Sequence, residues 1–288
     1  MPPIEPKRVA ALRLELAKQI PKFPNNKASL LALQQKSLGG LLIDYANWAI
    51  RFVAPRPRKI IVEASATSDP RWATLQRDIE AFLEKAKRGD ELTPHLSLEP
   101  HTRGYTPAAS AKGPSVNRWA DKDMLLNVMG YHHFHPSLTI EPGGFATRTN
   151  DVLFALVTRE EFTLIAIFDH SVFESEPGQP LNPERERLWR IFDERMMRGV
   201  PSGAVVVPPP ISTSGHPIQL VYLAQNYARL IARVDPKVDD PLYIASVTVG
   251  MPFTLPAKPK WKWQLQYLDL GLMEKASRCF LIFAKGPN

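Results

Sequence analysis

The residues whose types and spacing best suit chemistry are His132, His133 and His135, three of the chain's seven histidines, in the stretch GYHHFHPS at residues 130–137. Imidazole titrates near neutral pH, so such a cluster can exchange protons or bind a metal ion. Side chains alternate across a strand, which puts His133 and His135 on one face and His132 with Phe134 on the other. Arg148 stands just ahead of the apolar run DVLFALVT, and Asp169 and His170 end the next run, FTLIAIFDH. An antiparallel return of these runs brings the polar ends together. Metal-independent cleavage of a phosphodiester needs such parts: one histidine to take a hydroxyl proton, another to protonate the leaving oxygen, and a guanidinium on the phosphorane. His133 and His135 are the candidate acid/base pair, Arg148 the phosphate stabiliser, and Asp169 with His170 the orienting or second proton-transfer groups.

This chemistry requires no cofactor. The competing reading starts from the HxH spacing, which can supply two ligands to a divalent transition metal. His133, His135, Glu141 and His170 form that alternative set, and the run HxH, Glu141, Gly143 loosely resembles the cupin pattern. A third reading is a noncatalytic module of a larger assembly that binds nucleic acid or a protein partner. Neither a Walker A motif nor a dinucleotide-binding glycine pattern occurs, which argues against a nucleotide cofactor.

The net charge of +7 and the isoelectric point near 9.5 point to a polyanionic partner, RNA foremost. Arg51, Arg56, Arg58 and Lys59 are concentrated in RFVAPRPRKI, where Pro55 and Pro57 forbid a helix, so an extended basic arm along a phosphate backbone is expected. Lys260 and Lys262 alternate with Trp261, Trp263 and Tyr267 in KPKWKWQLQYLDL, a pattern able to contact phosphates and stack on unpaired bases. The lone cysteine, Cys279, excludes an intrachain disulfide and reads as a packed thiol.

The elements that must position these groups suggest an α+β fold with N-terminal helices, a small central antiparallel meander and a mixed C-terminal helix and strand region. Residues 1–110 read as a helical region with the basic arm. Residues 119–175 read as the sheet bearing the histidines. Residues 182–288 form an α+β region, separate or in one compact domain with the sheet. A long second helix is expected over KASLLALQQKSLGGLLIDYANWAI, capped by Asn25 or Asn26 and kinked at Gly39 and Gly40. TSDPRWATLQRDIEAFLEKAKRGD is the clearest helix, stopped by Gly89. GAVVVP, LYIASVTVG, WKWQLQYLDL and RCFLIFAK read as strands.

The order helix, loop, histidine strand, Arg148, apolar strand, turn, apolar strand, His170 resembles the RelE-like toxin ribonucleases over about residues 73–173. That resemblance implies metal-independent RNA cleavage, Arg148 as the phosphate-binding arginine, His170 as the polar residue ending the strand, a toxin or defence role and an inhibitory protein partner. No apolar run reaches the ~18 to 20 residues of a membrane helix, and the N-terminal stretch alternates charge with apolar residues, so a cytoplasmic protein is expected.

Overall fold

In the computed structural model, which describes residues 5–107, 120–174, 178–251 and 254–288, helix α1 (Lys7–Gln19) is followed by α2 (Lys27–Gln34) and α3 (Leu38–Ala49). Asn26 caps α2 by accepting the Ser29 amide, and Ser37 caps α3 by accepting the Gly40 amide. The single kinked helix expected here is therefore two helices. The break falls at the second cap, and both glycines lie inside the first turn of α3. Strand β1 (Lys59–Val62) leads through the short α4 (Ala64–Thr67) to α5 (Trp72–Arg88), which ends at Gly89 with φ of 83°. A Cβ on Gly89 would lie 2.4 Å from the backbone of Arg56 and Pro57, so only glycine fits this left-handed stop.

Helix α6 (Met124–Met129) precedes β2 (Tyr131–Phe134), β3 (Asp151–Val157), β4 (Glu161–Asp169) and α7 (Pro183–Met197). β2 is shorter than the apolar run suggests, because Pro136 cannot continue the ladder. Helices α8 (Ile218–Val234) and α9 (Pro241–Thr248) precede β5 (Trp261–Gln266), β6 (Asp269–Glu274) and β7 (Phe280–Ala284). Three expectations are corrected. GAVVVP is irregular, with Val205 and Val207 exposed. LYIASVTVG is helical, because Asp240 accepts the Leu242 amide and Pro241 takes the first helical position. WKWQLQYLDL is a hairpin, with Tyr267 at φ of 50° in its turn. Trp119 and Ser175, at the edges of the expected middle zone, and residues 108–118 lie outside the described residues.

The fold is α+β, and the chain forms two compact units that interleave in sequence. A terminal unit takes Met1–Ile50, Glu99–Lys122 and Thr213–Pro287, and a central unit takes Arg51–Leu98, Asp123–Ser212 and Asn288. The stretch read as one helical region, residues 1–110, thus contributes to both.

In the central unit the strands run in the order β1-β4-β3-β2. β2, β3 and β4 make the expected antiparallel meander, and β1 adds a parallel edge against β4. Both faces are covered, which is why β3 and β4 read as continuous apolar runs. Phe82 and Ile79 of α5 pack on Phe134, Leu153 and Phe162 on one face. Leu188, Ile191 and Phe192 of α7 pack with Tyr131, Phe154 and Phe168 on the other.

In the terminal unit the antiparallel sheet β5-β6-β7 turns Trp261, Trp263 and Leu265 into a core shared with α1, α3 and α8. Trp263 donates its indole N–H to Asp235 at 2.8 Å. The tryptophans beside Lys260 and Lys262 are core residues and offer no stacking surface. Among the described residues no helix is long and apolar enough to cross a membrane.

Candidate functional site

The histidine cluster is set by where β2 stops. His135 lies just past the strand, and its amide donates to the His95 carbonyl at 2.8 Å. His95 Nδ1 in turn donates to the His135 carbonyl at 2.9 Å, and Lys85 Nζ donates to His95 Nε2 at 3.1 Å. A carbonyl can only accept, so His95 carries its proton on Nδ1 and is neutral, as its burial also favours. His95 thereby clamps the backbone that carries His135.

Alternation holds along β2. His132 turns toward the α5 side and stacks with Phe134 at 6.1 Å between ring centres. His133 turns to the α7 side, 4.9 Å from Phe173 and 6.1 Å from Phe154. The His135 ring lies 5.3 Å from His170, which lies 5.6 Å from Phe173. His133 and His170 therefore pack on Phe173, in a 3-10 turn (His170–Phe173) that follows β4, and His135 joins them through His170. The β3–β4 register, Asp151 opposite Asp169, carries the end of β4 back toward the end of β2.

Two buried polar atoms of this cluster have no hydrogen-bond partner among the described residues: His135 Nδ1 and Arg148 Nη2. The other arm of Arg148 is fixed, Nη1 donating to the Leu96 carbonyl at 2.9 Å. Burial, then the charge of Arg148 and the neighbouring rings, lower the His135 pKa to about 3. His133 is also shifted down, by burial and by Arg51, His170 and Arg148, with the Asp123 carboxylate opposing them. At neutral pH His135 is thus a neutral imidazole in a positive field, which favours an anion over a cation.

The other expected residues are placed as follows. Asp169 accepts from the Ser171 amide at 2.8 Å and the Ser171 hydroxyl at 2.5 Å, and lies 3.8 Å from Arg71. These contacts depress its pKa and make it the cap of the turn bearing His170, hence a positioning residue. Glu141 is exposed. Among the described residues no three His, Cys, Asp or Glu side chains group at metal-binding spacing.

The expected basic arm is corrected. Arg58 is buried and donates to the carbonyls of Thr158 at 2.7 Å, Ala54 at 2.9 Å and Arg56 at 3.2 Å, and burial lowers its pKa to about 10. Arg51 is buried and its charge acts on His133. Arg56 is half-buried, and exposed Lys59 pairs with Glu161 at 3.2 Å. The prolines do exclude a helix, but the extended chain turns two of its arginines inward to satisfy carbonyls and neighbouring groups. Lys260 and Lys262 belong to the terminal unit, where Lys262 lies 3.6 Å from Glu15.

Sequence reasoning did not place Asp123, His95 or Phe173 at this cluster. Asp123 caps α6 by accepting the Leu126 amide at 3.0 Å, and its second oxygen is 3.8 Å from His133 Nδ1. Its signal was present: an aspartate directly before an apolar helical run is a cap. No family model, no curated protein and no solved structure matches the chain.

Proposed function

We propose that the central unit cleaves RNA by a metal-independent transesterification. The reading rests on the site and on the resemblance to RelE-like toxin ribonucleases. One observation carries it: two buried polar atoms at the cluster of three histidines, His135 Nδ1 and Arg148 Nη2, have no hydrogen-bond partner among the described residues. A buried polar group without a partner costs free energy, and a bound ligand can supply the missing one.

In this reaction neutral His135 removes the proton from a ribose 2′-hydroxyl, and the 2′-oxygen forms a bond to phosphorus. Arg148 Nη2–H donates to a non-bridging oxygen as negative charge builds on the phosphorane. The bond from phosphorus to the 5′-oxygen breaks, and protonated His133 gives that oxygen its proton. Asp123 offsets part of the effect of burial on His133, which suits this ring to the acid role. His170, held by the Asp169 cap, packs against the base and fixes its ring. The products are a 2′,3′-cyclic phosphate and a 5′-hydroxyl.

RNA is the substrate in this reading, and the cytoplasm is where it is met. A free ribonuclease harms its host, so an inhibitory protein partner belongs to the same proposal. The test is single-turnover cleavage of a labelled RNA in excess chelator. His135→Ala and Arg148→Ala each lower the rate about 100-fold or more. Full activity in either variant, or activity that appears only with added divalent metal, overturns the mechanism.

A further inference from the structure

The sheet of the terminal unit has a second face, opposite its core. Register places Lys262, Met273 and Phe280 side by side across the three strands, with Gln264, Gly271 and Ile282 in the next row. This face borders a cleft of about 560 Å³ lined by Lys262, Gln264, Met273, Lys275 and Arg278. Gly271 shapes it. A Cβ there would sit 2.4 Å from the Leu281 carbonyl oxygen and 2.7 Å from the Phe280 ring, so the phenyl group lies against the strand backbone.

The charges are arranged to one side. Glu274, at the end of β6, points its carboxylate into the turn that leads to β7. It accepts from the amides of Ser277 at 2.6 Å, Ala276 at 2.8 Å and Lys260 at 2.9 Å. Lys275 and Arg278 of the same turn pair with no carboxylate among the described residues, and Arg278 is held at φ of 56°. Glu15, 3.6 Å from Lys262, is the acid nearest that lysine.

We infer that this sheet face binds single-stranded RNA, with Phe280 stacking on a base and Lys275 and Arg278 on the phosphates; the inference rests on the reading of the protein as one that acts on RNA. The aromatics of β5 expected to stack face the core, and β7 supplies the ring instead. A half-buried aromatic ring lying along a sheet, an amide side chain beside it and cations at the rim are what unpaired bases and their backbone require. A bilayer would call for protruding apolar groups, and on this face only Ile282 is as much as 42% exposed.

The probe is a fluorescein-labelled oligouridylate of 2′-O-methyl nucleotides, which lacks the nucleophile and cannot be cleaved by the proposed mechanism. Binding to the full chain is followed by anisotropy over a salt series. Lys275→Glu with Arg278→Glu weakens binding at least about tenfold and reduces the salt slope by about 1.4, two phosphate contacts at the single-strand value of about 0.7 each. Phe280→Ala weakens it about tenfold, and Phe280→Tyr restores it. Circular dichroism melts confirm folding, and the charge reversals, at surface positions, carry the test if Phe280→Ala does not fold. Wild-type affinity in both the charge-reversed and Phe280→Ala proteins overturns the inference, as does binding to anionic phospholipid vesicles with none to the oligonucleotide. If the wild type cleaves RNA and the sheet variants bind normally, this inference fails and the catalytic reading stands. If the wild type binds through this face and cleaves nothing, the reverse holds.

Discussion

His135 is where burial and charge meet most sharply, and its pH behaviour follows. Its folded pKa, about 3, lies below the ordinary imidazole value of 6.5, so folding favours the neutral ring. The stability this contributes is complete above pH 6.5 and is lost as pH falls toward 3. His135→Gln should therefore flatten the fall in urea midpoint over that window, while an unchanged slope would place the acid sensitivity elsewhere. The Asp123 carboxylate raises the His133 pKa against the other groups around it. Asp123→Asn should move the alkaline limb of the pH–rate profile to lower pH, and an unmoved limb would remove His133 from the acid role. Strand alternation made the His133 and His135 pair legible, as well as the separate side taken by His132. His95 and Asp123 were not legible as site residues, because their place depends on which loop meets the end of β2, which local spacing does not encode.

The element that supports this cluster from one side is α5, and Phe82 is its anchor. The ring is fully buried, 5.1 Å from Phe134, 5.1 Å from His95 and 5.7 Å from Phe162. Phe82→Ala should cost about 3–5 kcal/mol in chemical denaturation. A loss below about 1 kcal/mol would mean that this face repacks freely. At the β6–β7 turn, backbone amides hold the Glu274 carboxyl down to about 2. Its stabilisation is present above the ordinary value of 4.5 and is lost as pH falls through 2, so Glu274→Gln should lower Tm most at neutral pH and least near pH 2. Caps were the readable part of the elements: Asn26 and Gly89 act where the sequence places them. The β-branched run at α9 misled because its Asp240 and Pro241 start signal outweighs strand propensity. The pairing of β1 with β4 was invisible for another reason: a four-residue strand carries no mark of its partner.

For the molecule as a whole, the α+β class was legible from the mixture of elements without regular alternation. The allocation of segments was not, since Ile50 and Arg51 are adjacent in sequence and belong to different units. Helical and strand periodicities report which face is buried, not which unit buries it. The charge of +7 was legible, but the burial of part of it was not. Arg51 and Arg58 turn inward, whereas Lys275 and Arg278 line an open cleft. The central claim is a histidine-driven attack by the ribose 2′-hydroxyl, and the ends of the products report it most directly. RNA incubated with the full chain in excess chelator should yield 2′,3′-cyclic phosphate and 5′-hydroxyl termini, read by mass spectrometry, and a 2′-deoxy substitution at the scissile nucleotide should stop cleavage there. Products with 5′-phosphate and 3′-hydroxyl termini, or cleavage that continues at the 2′-deoxy position, would contradict it.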